Sequence, residues 1–298
     1  FPLAKGKTLG LVGESGCGKT VTGLSVLRLI PQPPGRIVSG GILLEGEDLL
    51  MVREKDLRRV RGNRISMIFQ EPMSALNPAL TVGFQISEVL RRHRGLGRKE
   101  ALDLSIEAMR KVGISDGERR IREYPHQMSG GMRQRVMIAM ALSCTPRVLI
   151  ADEPTTALDV TIQAQILDLL NRIKKESGTS ILLITHDLGV VAEMADHVAV
   201  MYAGEIVESA DVYTLLTSPL HPYTIGLMNS IPRIEEPPPE NKLLRAIPGI
   251  VPSLLALPEG CSFQDRCALG MEECRLGRPA LFEAGSNHWV RCWRFAHA

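Results

Sequence analysis

The feature that most constrains this chain is the run GESGCGKT at residues 13–20, which matches the pattern G-x-x-x-x-G-K-[ST] at every fixed position. An apolar segment, residues 9–12, precedes it, and residues 21–30 after it favour a helix. A strand that leads through a glycine-rich turn into a helix points successive backbone N–H groups at one spot, where a polyphosphate can bind. The pattern therefore predicts a phosphate-binding loop, with a chance glycine-rich turn as the alternative.

Each residue type in this loop suits that chemistry. Glycine lets a phosphate reach bare backbone, Lys19 is expected to reach the β- and γ-phosphates, and the Thr20 hydroxyl is expected to take a Mg²⁺ position. The predicted nucleotide-binding residues of the loop are Gly13, Glu14, Ser15, Gly16, Cys17, Gly18, Lys19 and Thr20.

Length and charge set broad limits on the function. With 298 residues the chain can bury a full α/β core and carry a second small domain. Its 35 basic and 33 acidic residues give a net charge of +2, so we expect no nucleic-acid partner. We find neither a signal peptide nor an apolar stretch near the roughly 18 residues that cross a bilayer, so we expect a soluble, cytoplasmic chain. Because Phe1 lies almost on the first core strand, an N-terminal segment of the natural protein is expected to be missing.

Two carboxylates follow the apolar run at residues 148–151, in the form expected of a buried strand that delivers acids to its C-terminal end. Asp152 is expected to hold Mg²⁺, directly or through water. Glu153 is expected to accept a proton from the water that attacks the γ-phosphate. The alternative is that the two acids cap the next helix.

Two more polar residues follow predicted strands. Gln70 comes after the apolar run 65–69, and His186 comes after the run 180–185. A glutamine after a strand is usually a polar cap, whereas a histidine at the C-terminal end of a parallel strand in a nucleotide fold lies where ligands bind. We also predict β structure at residues 37–44, broken at Gly40 and Gly41, and a hairpin of residues 198–202 and 205–208 that closes the sheet.

The apolar pattern turns helical between residues 84 and 142, which predicts a helical insertion between strands. Within it, Ser-Gly-Gly-Met at residues 129–132 begins a further helix, and Ser129 is the predicted N-cap. Asp159 precedes another predicted helix, residues 160–175, whose apolar stripe indicates core packing.

Taken in order over roughly 200 residues, these motifs resemble the ATPase subunit of an ABC transporter. The resemblance implies an α/β fold, a P-loop NTPase of the ABC ATPase type, with a nucleotide-binding domain at residues 1–230 and a helical subdomain at about 84–145. It assigns roles by motif: Lys19 and Thr20 to Walker A, Gln70 to the Q-loop, Ser129, Gly130 and Gly131 to the signature, Asp152 and Glu153 to Walker B, Asp159 to the D-loop, and His186 to the switch histidine.

The same resemblance implies how the parts act. Two such domains meet head to tail, so ATP on one Walker A loop is covered by the signature of a second ATPase subunit, identical or related. Glu153, His186 and Gln70 are the implied catalytic residues, and Thr20, Gln70 and Asp152 the implied Mg²⁺ residues. Two membrane permease subunits receive the motion at the cytoplasmic face of the membrane. Two departures stand out: Met132 replaces the usual glutamine, and no upstream aromatic residue is present to stack on adenine.

The composition changes from residue 231 onward. Seven prolines fall between residues 232 and 258, which predicts an extended arm. Residues 231–298 resemble the C-terminal extension of oligopeptide and dipeptide importer ATPases, with the nickel-importer branch close behind. This implies a peptide importer that an extracytoplasmic peptide-binding protein serves indirectly. A nickel or other small-solute importer, or a non-transport ABC ATPase, is the alternative.

Four of the six cysteines lie in this extension with the spacing C-x5-C-x6-C-x17-C: Cys261, Cys267, Cys274 and Cys292. Disulfides are disfavoured in a cytoplasmic chain, so a metal centre is predicted. Zinc usually uses tight C-x2-C pairs, and four lone thiolates suit an iron–sulfur cube at least as well. The resemblance also favours a [4Fe-4S] cluster, with zinc or plain thiols as alternatives. His288 is a candidate to replace one thiolate, and we interpret Cys17 and Cys144 as small buried fillers.

Overall fold

The computed structural model describes residues 1–156, 158–230 and 247–296, so the four prolines of the predicted arm between residues 232 and 239 lie outside the described residues. The strands are β1 (Thr8–Val12), β2 (Leu43–Leu44), β3 (Glu47–Asp48), β4 (Ile65–Ile68), β5 (Val148–Asp152), β6 (Ser180–Thr185), β7 (His197–Tyr202), β8 (Glu205–Asp211), β9 (Phe282–Gly285) and β10 (His288–Val290). The helices are α1 (Lys19–Val26), α2 (Glu54–Val60), α3 (Pro72–Ala75), α4 (Val82–Arg94), α5 (Arg98–Lys111), α6 (Gly117–Arg120), α7 (Gly130–Leu142), α8 (Val160–Ser177), α9 (Leu188–Met194), α10 (Val212–Thr217), α11 (Pro222–Asn229) and α12 (Glu273–Leu276).

The chain forms two compact units. The larger comprises Pro2–Thr8 and Thr20–Ile184, and the smaller comprises Phe1, Leu9–Lys19 and Thr185–Ala298. Each unit combines strands and helices, which confirms the predicted α/β class. No helix in the described part of the chain is both long and apolar enough to cross a lipid bilayer.

In the larger unit, β4, β5 and β6 pair in parallel, with Ile65 opposite Val148 and Val148 opposite Ser180. Nearly all their residues are buried, as expected of parallel strands covered on both faces. Because parallel strands end at one edge, this register brings the residues that follow β4 and β5 to a common side of the sheet.

The predicted helical character of residues 84–142 is confirmed by α4, α5, α6 and α7. The Thr81 side chain caps α4 by accepting from the Phe84 N–H, and the helix ends at Gly95 in the left-handed conformation. Buried Ile86 and Leu90 on α4 form part of the core, and α4, α5 and α7 pack against one another. Periodic apolar residues therefore fold this segment as a helical layer.

In the smaller unit the strand order is β1, β7, β8, β10, β9. β1 and β7 are parallel, and β7 and β8 form the predicted hairpin. The expectation that this hairpin closes the sheet is wrong, because β10 pairs antiparallel with β8 and β9 pairs with β10. The edge of β8 offers backbone groups that need partners, and residues of the C-terminal extension supply them.

Two predicted elements are shorter than expected. Helix α1 ends at Val26, not at residue 30, and Arg28 takes a positive φ of 51° that no helix can continue. Of residues 37–44, only Leu43 and Leu44 form a strand. The Ile42 N–H donates to the Asp48 carboxylate at 3.1 Å instead of to a backbone carbonyl of a ladder, so the strand begins later.

Candidate functional site

The glycine-rich loop is shaped by close backbone approach. A Cβ at Gly13 would collide with the carbonyl oxygen of Met201, and Gly16 and Gly18 have φ values of +82° and +107°. The Gly204 N–H also donates to the Cys17 carbonyl at 2.8 Å, which ties the loop to the turn after β7. Glycine is therefore required at position 13 by contact and at positions 16 and 18 by backbone conformation.

Lys19 lies inside this loop and is only 5 % exposed. Its Nζ donates to the carbonyls of Gly13 at 2.7 Å and Glu14 at 3.0 Å. Burial raises the pKa of the neighbouring Cys17 thiol, which agrees with the interpretation of Cys17 as a buried filler. The loop thus carries one ammonium group beside backbone amides, an arrangement suited to bind a phosphate.

The larger unit holds two oxygen ligands close together. Thr20 Oγ1 donates to Asp152 Oδ1 at 3.2 Å, and Asp152 is 1 % exposed at the end of β5. A hydroxyl and a carboxylate are hard oxygen donors of the kind that Mg²⁺ binds. Two of the three residues implied for magnesium, Thr20 and Asp152, therefore fit that ion, whereas the third, Gln70, donates to Glu153.

Glu153 is held by two side chains. Its Oε2 accepts from Gln70 Nε2 at 3.0 Å and from Thr156 Oγ1 at 2.8 Å, and its N–H donates to the Ile184 carbonyl at 2.8 Å. Its φ of +45° is unusual for a residue with a side chain. These contacts fix the direction of the carboxylate. Thr156 is the site residue that sequence reasoning missed, although its hydroxyl stands three residues after Glu153.

The second glycine-rich helix start differs from the first. The Ser129 side chain accepts from the Met132 N–H at 3.4 Å, so Ser129 is the N-cap of α7 as predicted. Ser129 and Gly130 are exposed. Further along α7, buried Gln134 donates to the Pro154 carbonyl at 2.6 Å, which connects this helix to the loop after Glu153.

Asp159 and His186 lie at the ends of secondary-structure elements. Asp159 caps α8, because its Oδ1 accepts from the Ile162 N–H at 2.9 Å. His186 is exposed and follows β6 directly. The catalytic, nucleotide-binding and magnesium roles given to all these residues stay predictions.

The four cysteines of the extension lie in one region of the smaller unit. The Cys261 N–H donates to the Cys274 carbonyl at 2.7 Å. Burial, and then the other three thiols, raise the pKa of Cys261 to about 11. Within residues 1–156, 158–230 and 247–296, however, no three His, Cys, Asp or Glu side chains are placed to hold one metal ion. The metal prediction therefore gains no support from the side-chain arrangement. His288 Nε2 lies 2.8 Å from Glu208 Oε1 in a buried pair.

Comparisons with known families agree with the motif order. Residues 1–156 match the ABC transporter family, and residues 207–274 match the C-terminal region of oligopeptide/dipeptide transporters. The two matches together span the phosphate-binding loop, the acidic strand end and three of the four cysteines of the extension, Cys261, Cys267 and Cys274.

Individual relatives extend this similarity to nearly the whole chain. The oligopeptide transport ATP-binding protein AppD of Bacillus subtilis is 53% identical over 99% of this chain and 89% of its own length. The oligopeptide transport ATP-binding protein OppD of the same organism is 50% identical over 98% of this chain and 81% of its own length. Among solved structures, a dimeric post-hydrolysis state of the ATP-binding cassette MJ0796 bound to ADP and Pi is similar with a TM-score of 0.63 and 25% identity, covering 71% of this chain and 88% of that one.

Proposed function

Since this chain belongs to the ABC transporter ATP-binding proteins of the oligopeptide and dipeptide branch, we propose that it is the ATP-hydrolysing subunit that drives uptake of di- or oligopeptides. One observation carries the catalytic part of this conclusion. Residues from three separate motifs meet at one edge of the sheet, where Thr20 bonds Asp152 and Gln70 bonds the adjacent Glu153. The match of residues 207–274 carries the choice of peptide as cargo.

The geometry supports a division of labour among these residues. The loop amides and Lys19 bind the triphosphate, and the Glu153 carboxylate accepts the proton of the attacking water while Gln70 and Thr156 hold its direction. When bound, Mg²⁺ would be held by Thr20 and Asp152 and would offset phosphate charge. Asp152 is buried and has little contact with water, so a bound cation would offset the cost of burying its charge.

The exposed start of α7 supports a role for a second ATPase subunit. Ser129 and the nearby backbone N–H groups face away from the chain's own core, where they could bind the γ-phosphate held by a partner. The dimeric state of MJ0796 is the precedent among solved structures. In this proposal ATP joins two such subunits, identical or related, with Asp159 and His186 at the shared site. Hydrolysis separates them, and the motion passes through Gln70 and helices α4–α7 to two membrane permease subunits.

Cargo and location follow from the same proposal. The protein lies at the cytoplasmic face of the membrane as a peripheral subunit. A peptide-binding protein on the other side of the membrane delivers the substrate without contacting the ATPase subunit. A nickel or other small-solute importer is the second candidate cargo class. Residues 1–230 would form the nucleotide-binding domain and residues 231–298 an importer-type extension.

The proposal is tested by co-purification with the neighbouring gene products, followed by ATPase assays with and without candidate peptides. We expect two permease subunits and a second ATPase subunit in the complex, and turnover that rises when peptide-loaded binding protein is added. Stimulation by a nickel-loaded binding protein instead of a peptide-loaded one would select the other cargo class. An isolated Glu153→Gln protein that stays monomeric with Mg-ATP at high concentration, and pairs with no sister subunit, would overturn the motor role.

The four cysteines carry a finer proposal, a [4Fe-4S] cluster with zinc as the alternative. Its support is the number and type of the ligands and the nearness of the thiols, since burial and then neighbouring thiols raise the pKa of Cys261, Cys267 and Cys292. Holding one metal centre would require the side chains to move from their described positions. A brown anaerobic preparation with about four iron atoms per chain supports the cluster. A colourless one with stoichiometric zinc selects zinc, and one with neither metal rejects both.

A further inference from the structure

Glu14, the second residue of the phosphate-binding loop, is paired with an arginine of the C-terminal extension. Arg266 Nη1 lies 2.7 Å from Glu14 Oε2, and Arg266 Nη2 donates to Glu14 Oε1 at 3.0 Å. The Arg266 side chain is 5 % exposed and that of Glu14 is 30 % exposed. This is a two-pronged, charge-assisted pair between positions 252 residues apart in the chain.

Every N–H group of the Arg266 guanidinium has an acceptor. Besides the two bonds to Glu14, Nε donates to the Pro248 carbonyl at 2.8 Å, Nη1 to Tyr202 Oη at 3.4 Å and Nη2 to the Ile247 carbonyl at 3.5 Å. Glu14 is the main cause of an Arg266 pKa above its ordinary value. Five donors in a planar fork are a property of arginine that lysine cannot reproduce.

A second contact reaches the same loop residue through its backbone. The Glu14 N–H donates to Tyr223 Oη at 2.8 Å, and Tyr223 is fully buried against Tyr202 and Phe263. The Arg266 guanidinium lies over the rings of Tyr202 and Phe263, 5.7 Å and 5.9 Å from their centroids. The Glu14 N–H is therefore held by an aromatic cluster, and the Glu14 carboxylate is held by the arginine that packs on two rings of the same cluster.

Because Glu14 is negatively charged, its pairing with Arg266 affects how the loop binds nucleotide. A carboxylate in a loop that binds a triphosphate repels the ligand unless a cation offsets it. Arg266 supplies that cation and holds the Glu14 carboxylate against the C-terminal extension. Without Arg266, the loop would carry an unpaired negative charge and lose a restraint on its backbone.

We propose that Arg266 is a positioning residue for ATP binding: it neutralises Glu14 and holds the phosphate-binding loop in its binding conformation. The extension is then part of the nucleotide site, although it contributes no residue to the phosphate-binding motifs. This inference depends on ATP binding by the loop and not on the identity of the cargo, so a failed peptide assay would leave it intact.

The first test is steady-state ATPase kinetics and Mg-ATP calorimetry on the full-length Arg266→Gln protein. We expect the KM and the dissociation constant for ATP to rise about tenfold, which corresponds to about 1.4 kcal/mol, while kcat changes little. Arg278→Gln is the matched control. It removes an ion pair between the same extension and Glu205, 3.8 Å apart, that does not involve the loop, so ATP affinity should stay unchanged.

A double variant separates positioning from a general loss of stability. In Glu14→Gln with Arg266→Gln no carboxylate is left unpaired, so ATP should bind more tightly than to Arg266→Gln alone. Strictly additive effects, or an unchanged KM in a folded Arg266→Gln protein, would refute the proposal. If Arg266→Gln does not fold, Arg266→Lys decides, because it keeps the charge without the fork: a KM above the wild-type value supports the proposal and the wild-type KM refutes it.

Discussion

The two glycine-rich helix starts of this protein have similar local chemistry and different surroundings. At residues 13–20, Lys19 is nearly buried and Gly13 lies against a backbone carbonyl. At residues 129–132, Ser129 and Gly130 are exposed, and a Cβ at Gly130 would meet no atom within 4 Å. The first helix start is packed within its own chain, whereas the second is exposed and offers surface to another molecule. Local sequence predicted a phosphate-binding loop at the first and a capped helix start at the second, and the structure adds that the first is packed and the second exposed.

The largest expected effect concerns Glu153, the carboxylate proposed as the general base. Glu153→Gln should lower kcat about a thousandfold, since a positioned general base contributes ~10²–10⁴ in rate, while ATP binding is retained. Stopped-flow phosphate release and calorimetry measure the two quantities. Glu71→Gln, at an exposed acid on the same side of the sheet, is the control and should turn over normally. Unchanged turnover in the Glu153 variant would remove it as the base.

Next in size is the second helix start. Ser129→Arg should lower ATPase activity about a hundredfold, the typical cost of losing a transition-state donor, without weakening ATP binding to the single chain. Ser129→Thr keeps the hydroxyl and the cap and serves as the control. If the protein pairs with itself, an equal mixture of Ser129→Arg and Lys19→Ala chains should regain activity, because each mixed pair contains one intact site. A loss of ATP affinity in the single Ser129→Arg chain would contradict the contrast between the two starts.

The free energy of unfolding should also distinguish the two glycine-rich helix starts. Gly13→Ala places a methyl group against the Met201 carbonyl and should destabilise the protein by about 1–3 kcal/mol. Gly130→Ala meets no neighbour at a helix start and should leave stability unchanged or raise it by up to about 1 kcal/mol. Urea unfolding gives both values. Equal destabilisation by the two substitutions would mean that the second start is also packed within the chain.

The last effect is a pH dependence at His221, which lies next to the residue that holds Glu14 of the first site. Buried His221 accepts from the Tyr223 N–H at 3.0 Å, and burial lowers its pKa to about 3. The unfolded chain takes up this proton near pH 6.5, so the contribution of His221 to stability is full above pH 6.5 and is lost as the pH falls toward 3. The slope is at most about 1.4 kcal/mol per pH unit.

His221→Asn isolates that contribution, because asparagine can keep the cap on α11 without a charge. The variant should lose less stability than the wild type between pH 6.5 and 4 in urea titrations. Parallel curves would show that His221 does not titrate over this range.

Most of the side chains that meet at the carboxyl ends of β4 and β5 could be predicted from the sequence, because the signals for them are local. Apolar runs that end in Asp152 and Gln70 are strands of a parallel sheet, and parallel register brings their ends together. The cap at Ser129 follows from one side chain and the N–H three residues on. The contact between Thr156 and Glu153 was not predicted, because a threonine in a loop has many possible partners. The left-handed backbone of Glu153 directs its carboxylate toward Thr156.

The extension was predicted less well for the opposite reason. From its prolines and cysteines we predicted an extended arm and a metal centre. In the structure, β10 pairs with the edge of β8, and His288 pairs with Glu208. Strand pairing at a sheet edge depends on which backbone groups elsewhere lack partners. No pattern within residues 282–290 contains that information.

By itself, the sequence determined the phosphate-binding loop, the acidic strand end and the helix caps, because backbone preference and residue period act over a few neighbouring positions. The tertiary structure alone decided that Arg266 pairs with Glu14, that Tyr223 holds the same residue, and that the C-terminal hairpin extends the sheet. The two partners of Glu14 lie about two hundred or more residues from it in the chain, and the paired strands β8 and β10 are roughly eighty residues apart. Only the folded core brings such partners within hydrogen-bonding distance.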